Sequence, residues 1–182
     1  MEQNIKKANL KPEKTAFLLP YLLTLSLIVA DQLTKAWIVG NVAENTIASR
    51  HMGDFLWIVH MRNLGIAFSI GDSISNLLRV ALFIVVPGCF LAAAAIFSFV
   101  SKTLTLFQRY AISIIIGGGV GNLIDRIFRP EGVVDFISFS LFGIFGLERF
   151  PTFNIADMSI TIGAALLILS GFLMDGKEAV DE

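Results

Sequence analysis

The sequence predicts an all-α polytopic membrane protein: one domain over residues 1–182, with four transmembrane helices, a long loop with strand-like stretches and an interfacial segment. Three observations carry this reading. The chain is 55% hydrophobic and only 16% charged, with mean hydropathy +0.74, where soluble domains average about a quarter charged. Four apolar runs reach the ~20 residues that a helix rising ~1.5 Å per residue needs to cross a ~30 Å hydrocarbon core. The carboxylates, each costing roughly 2.5–3.5 kcal/mol at the centre of a span, gather near the ends of those runs.

The first span lies near 16–39 and is uncharged from Thr15 to Ala30. The alternation Phe55-Leu56-Trp57-Ile58-Val59-His60 within the loop 40–76 reads as strand. A second span near 77–100 carries Arg79 at its start and Pro87 inside, where a kink is expected because proline lacks the amide donor. Residues 101–105 make a tight connection. The third span, near 106–124, contains Gly117-Gly118-Gly119-Val120-Gly121, which would let another backbone approach closely. Residues 125–153 form a second long segment, and Phe136 to Phe150 is apolar enough to lie in the interface as strand or helix. The fourth span lies near 155–174. There is no internal repeat.

An even number of spans puts both long segments on one side and both termini on the other. Lys and Arg number seven on each side, so the count alone does not orient the chain. The N-terminal cluster Lys6, Lys7, Lys11 and Lys14 does, placing the termini in the cytoplasm, because the first helix usually dominates. No A-x-A site follows the first span, and removing that span would discard Asp31 and Lys35. Net charge is −1, which offers no basic face to nucleic acid. Cys89 is the single cysteine, so no intrachain disulfide forms. Val86-Pro87-Gly88-Cys89 is faintly lipobox-like but lies deep in the chain, and Cys89 reads as a small apolar residue packed in a helix.

Asp31, Asp125, Asp135 and Asp157 would all lie near the extracytoplasmic span ends. Two carboxyls at close range cannot both ionise cheaply. One can then activate water while the other protonates a peptide carbonyl or leaving nitrogen. Asp31 has Lys35 at i+4, and Asp125 has Arg126 beside it and Arg129 at i+4, so both read first as ion-paired. Asp135 is flanked by Val133, Val134, Phe136 and Ile137, and Asp157 opens an apolar helix. Neither has a cation beside it in sequence, and desolvation without a counter-charge raises a carboxyl pKa. That favours Asp135 with Asp157, against the equally weighted reading of Asp157 as a helix cap. Asn63, Asn122 and Asn154 are amides that could hold a substrate backbone, orient a carboxylate, or simply shape turns.

Other classes remain open on the residues alone. A proton-coupled transporter would favour inverted repeats and mid-span charges. A Ser/Lys peptidase could pair Lys35 with Ser69 or Ser73, although Asp31 is the nearer partner. No metal site is expected: His51 and His60 are the only histidines, and no His-Glu-x-x-His pattern exists. A four-span scaffold protein would not need three asparagine-bearing motifs at one level.

The blocks Asp31-Gln32-x-Thr34-Lys35, Asn63-x-Gly65-x-Ala67-Phe68, Gly121-Asn122-x-x-Asp125-Arg126, Val133-Val134-Asp135-Phe136 and Phe153-Asn154-x-Ala156-Asp157 together resemble the motif series of lipoprotein signal peptidase (signal peptidase II). They follow the family's order across residues 31 to 157. The resemblance implies an aspartic endopeptidase of the bacterial inner membrane that removes signal peptides from prolipoproteins, cutting before a diacylglyceryl-modified cysteine. It implies Asp135 and Asp157 as the dyad. Asp31, Lys35, Asn63, Gly65, Asn122, Asp125, Arg126 and Asn154 would build and support the substrate site, and 40–76 would form a small extracytoplasmic β-rich cradle. It also implies membrane lipid and diacylglyceryl-prolipoproteins as partners, no cofactor, and inhibition by the cyclic peptide antibiotic globomycin.

Overall fold

In a computed structural model, residues 14–65 and 75–178 are described. Ala67 and Phe68 of the second motif, Ser69, Ser73, and the lysines at 6, 7 and 11 lie outside the described residues. Helix α1 runs Lys14–Asn41, followed by strands β1 (Thr46–His51) and β2 (Leu56–Asn63). Helix α2 (Asn76–Val80) passes through a π-helical turn, Ala81–Val85, into α3 (Val86–Val100). Then come α4 (Leu106–Phe128), β3 (Val133–Phe139), a 3₁₀ turn at Ile144–Gly146, and α5 (Ile155–Glu178). Four helical stretches are long and apolar enough to span a membrane: Leu18–Asn41, Asn76–Val100, Leu106–Phe128 and Ile155–Phe172.

Helix α4 is the hub, because small residues let its neighbours in. A Cβ on Gly117 would meet Thr24 O of α1 at 3.2 Å, on Gly118 Ala156 O of α5 at 2.3 Å, and on Gly119 Leu91 of α3 at 2.4 Å. The glycine run therefore receives three helices on successive faces. Its start is closed by a capping box, Thr105 Oγ1 accepting from Gln108 N and Gln108 Oε1 accepting from Thr105 N. The outer helices turn Leu25, Phe90, Phe97, Phe99 and Phe172 outward, which suits a lipid solvent and would be costly in water.

Proline 87 sits in the first turn of α3, directly after the π-helical turn. A π turn widens the hydrogen-bond register locally and is how this span accommodates the missing donor. Cys89 is in a helix, as expected, but it is exposed on the outer surface and not packed.

The sheet is antiparallel in the order β1-β2-β3. Its inner face rests on the end of α1, where Ile38 and Val42 pack with Val134 and Phe136. The β2/β3 register shifts between Ile58 and Met61, so that Met61 faces Asp135 and Asn63 faces Val133. A bulge of this kind re-aims the residues beyond it. The segment 125–153 proves heterogeneous: residues 125–128 continue α4, Val133–Phe139 is strand, and the rest is held by short bridges, Ile137 to Phe153 and Ser140 to Arg149. The helix extends past 124 because Arg129 N closes the last turn on Asp125 O.

Candidate active site

Four elements meet where the C-terminal ends of α1 and α4, the N-terminal end of α5 and strand β3 converge. Helix α1 contributes Asp31, Gln32 and Lys35; α4 contributes Asn122, Asp125, Arg126 and, just past its end, Arg129; β3 contributes Asp135. Asn154 caps α5 and Asp157 lies in its first turn.

The lowest layer is an ion cluster with no access to solvent. Lys35 Nζ lies 2.9 Å from Asp31 and 3.1 Å from Asp125, and all three side chains are at most 1% exposed. Every remaining acceptor is used. Asp31 Oδ1 accepts from Ala156 N at 3.0 Å, and Asp125 Oδ2 from Val134 N at 3.1 Å. Gln32 donates to Asp31, Asp125 and Gly121 O. Arg129 donates to Asp125 and to Gln32 Oε1. Buried charges are tolerable only when paired and hydrogen-bonded in this way. The cluster thus pins α5 (through Ala156) and β3 (through Val134) onto α1 and α4.

Amides carry that order upward. Lys35 donates to Asn122 Oδ1 at 2.9 Å, which fixes the Asn122 amide so that Nδ2 points to Asp157 Oδ1 at 2.7 Å. Asn154 Nδ2 donates to Asp135 Oδ1 at 2.7 Å and to Asn122 Oδ1 at 3.1 Å, while Asn154 N donates to Asp157 Oδ2 at 3.1 Å. One residue therefore holds both carboxyls. From the cradle, Asn63 Nδ2 donates to Asp135 Oδ2 at 3.0 Å, and its own oxygen accepts from Gly65 N at 2.8 Å. Gly65 has φ +78°, a backbone conformation that favours glycine, and the Phe83 ring lies a tight 3.1 Å from where a Cβ would stand.

Asp135 is 1% exposed. Burial pushes its carboxyl up to about 6, and the charge of Asp157 acts the same way; the Asn63 and Asn154 amides and Lys35 pull against this. Asp157 is partly open, lying in the walls of two cavities. One, of about 290 Å³, is the cleft between α3, α4 and α5, with Phe90, Asn122 and Arg126 in its lining. The other, of about 320 Å³, lies against the aromatic segment before α5.

Two expectations need correction. Arg126 does not pair with Asp125: that carboxylate is taken by Lys35 and Arg129. Arg126 instead lies over the Phe83 ring at 5.5 Å, donates to Phe83 O, and acts electrostatically on Asp157 first and Asp135 second. The pair thus has a cation nearby that local sequence could not show. Asp135 also reaches the site on a strand and not at a span end. Sequence reasoning left Gln32 without a role, although it stands inside the first motif. The amides of Val134 and Ala156, which orient the ion cluster, carry no side-chain signal at all.

Asp31, Lys35 and Asp125 lie beneath the site, paired with one another and with the amides of Ala156 and Val134, whereas Asn63, Asn122, Arg126 and Asp157 border open space. Fold and site together define a multi-pass membrane protein that gathers two carboxyls on amide donors above a buried ion cluster. The model of the signal peptidase (SPase) II family matches residues 23–173. Lipoprotein signal peptidases of Treponema pallidum and Borrelia hermsii are 46% and 43% identical over 83% of this chain, covering 81% and 88% of their own lengths. A bacterial membrane enzyme solved by the in meso method superposes with TM-score 0.71 at 34% identity, over 84% of this chain and 91% of that one. The chain belongs to the signal peptidase II family, the aspartic endopeptidases that cleave signal peptides from prolipoproteins.

Proposed function

We propose that Asp135 and Asp157 are the catalytic dyad of this prolipoprotein signal peptidase, and that the chain acts as one domain at the extracytoplasmic face of the bacterial inner membrane. The observation that carries this is Asn154, whose side chain and backbone N–H hold one carboxyl each. In the reaction, Asp157, held by Asn122 and Asn154 N with Arg126 nearby, takes a proton from water. The water oxygen attacks the scissile carbonyl carbon while Asp135, which burial makes readier to carry a proton than an exposed carboxyl, donates that proton to the carbonyl oxygen. Collapse of the resulting gem-diol returns that proton to Asp135, passes the Asp157 proton to the leaving nitrogen and breaks the C–N bond. Asp31, Lys35, Gln32 and Asp125 hold the geometry, and Asn63, Asn122 and Arg126 border the peptide.

The recognised group is a diacylglyceryl cysteine. Lipid tails are as apolar as the protein surface they touch, so an acyl chain already in the bilayer gains little hydrophobic energy on docking. Its contribution is to fix the depth and orientation of the bond beside it. Purified protein should therefore release signal peptide from a diacylglyceryl-modified precursor at least about 100-fold faster than from the unmodified one, a factor within the reach of positioning. Equal cleavage of both would contradict this reading. Globomycin, a lipophilic cyclic peptide, should compete for the same cleft.

A further inference from the structure

We propose that Phe83 is a positioning residue of the peptidase: its ring seats the Arg126 guanidinium at the wall of the cleft and leaves most of its donors to meet carbonyl oxygens of the substrate peptide. This rests on the proposed function, in which Arg126 borders the peptide, and deepens it by naming the residue that aims that wall.

The inference starts from how little else holds Arg126. Asp125, its neighbour in the chain, is taken by Lys35 and Arg129. Among the described residues Arg126 forms no ion pair within 4.0 Å, and its buried Nε has no hydrogen-bond partner. The contacts it does make are both to Phe83. Its Cζ stands 5.5 Å from the ring centroid, and Nη1 donates to Phe83 O at a long 3.4 Å. An aromatic face attracts a guanidinium without accepting its N–H groups one by one. A carboxylate in the same place would take them two at a time. An arginine meant for peptide carbonyls is therefore better seated on a ring than on an acid.

Two cavities meet at this guanidinium. It lines the cleft of about 290 Å³ with Asn122 and Asp157, and a second cavity of about 180 Å³ with Asn63, Phe83 and Gly132. Of the two, Phe83 lines only the second, so the ring backs Arg126 from behind the cleft. The ring is itself fixed. It belongs to the middle residue of the π-helical turn Ala81–Val85, and its Cε1 lies 3.1 Å from where a Cβ on Gly65 would stand. Gly65 N donates to Asn63 Oδ1, and Asn63 Nδ2 donates to Asp135. π turns recur at functional positions. This one sets a single ring against both the cation and the end of β2 that holds Asp135.

The test is a double-mutant cycle on substrate affinity. It uses full-length protein that also carries Asp135→Asn, so that the diacylglyceryl-modified precursor is bound and not cut. Phe83→Leu should weaken binding about ten-fold, and Arg126→Gln at least as much, as expected for loss of a hydrogen bond from a charged group. The two together should bind no more weakly than Arg126→Gln alone, because both remove the same contact. Phe83→Tyr keeps the ring and should stay within about two-fold of the parent. Should Phe83→Leu not melt in one cooperative transition, Phe83→Met takes its place. Parental affinity in the ring-deleted variant would overturn the inference. So would losses that add in the double variant, or a loss in Phe83→Tyr as large as that in Phe83→Leu, since the ring would then serve packing alone. Failure of the protein with Asp135 intact to cut the precursor would instead count against the proposed function.

Discussion

Asp135 is sealed from solvent and nonetheless receives two amide donors, so its proton is held by competing forces. Its pKa rises from 3.8 to about 6, with burial the first cause. A carboxyl raised on folding stabilises the protein below its unfolded value, and that stability is lost as pH climbs through the folded value. Melting curves of wild type and Asp135→Asn should therefore diverge between about pH 4 and pH 6, wild type losing up to about 3 kcal/mol relative to the variant. The offset between them is less informative, because an amide at 135 faces the donors of Asn63 or Asn154 and forfeits a hydrogen bond. A parallel pH response would show that folding does not raise the Asp135 carboxyl. At this scale the sequence was informative about isolation: Asp135 and Asp157 stood out for lacking a neighbouring cation. It could not show that Arg126, one residue from Asp125, makes no ion pair with it and lies over Phe83 within electrostatic reach of the pair, since side-chain direction at a helix end depends on what packs there.

Helix α4 shows the same division at the level of elements. Gly117-Gly118-Gly119-Val120-Gly121 announced close approach, but which helix fills each face is set by tertiary packing. A Cβ at Gly121 would stand 2.7 Å from Asp31 Oδ2 and 3.3 Å from Ala156 Cβ, so Gly121→Ala pushes directly on the ion cluster. The expected cost is about 1–3 kcal/mol despite alanine's better helix propensity. Gly88→Ala is the control: its nearest neighbour would be Leu123 at an ordinary 3.6 Å, and it should melt at or above wild type. Equal melting of the two variants would mean that α1 is free to shift. The cradle was legible as strand from the alternation in Phe55 to His60, but not as three strands. Val133 to Phe139 is almost uniformly apolar because β3 is buried on both faces, between α1 and the site, and such a run has no period to read.

For the whole molecule, the four spans followed directly from hydropathy, and their sidedness did not. The charge count tied because cations on the cradle side are engaged internally. Lys35 and Arg129 serve Asp125, and Arg149 donates to Ser138, Asp54 O and Phe55 O while stacking 3.7 Å over Trp57. The positive-inside preference acts on charges that meet the membrane surface, so such residues should be discounted. With them removed, the N-terminal lysines decide, and we propose on that ground that the cradle faces outward. Single cysteines on a Cys89-free background, probed with an impermeant reagent in intact cells, should label at positions 50 and 148 and not at 102. The reverse pattern would invert the protein.

The central claim is that Asp135 and Asp157 form the dyad while Asp125 belongs to the support beneath it. The direct test is turnover of a diacylglyceryl-modified precursor by Asp135→Asn, Asp157→Asn and Asp125→Asn, with a melting curve for each. The first two should show no detectable cleavage, a loss of at least about 10³-fold, because an amide cannot take over the proton transfers of a carboxyl, and both should still melt in a single cooperative transition. Asp125→Asn should leave Lys35 and Arg129 short of charge, cost about 3–5 kcal/mol of stability, and retain some cleavage. Near-normal turnover by Asp135→Asn, with none from an Asp125→Asn variant that melts like wild type, would make Asp125 the partner of Asp157 and contradict this account.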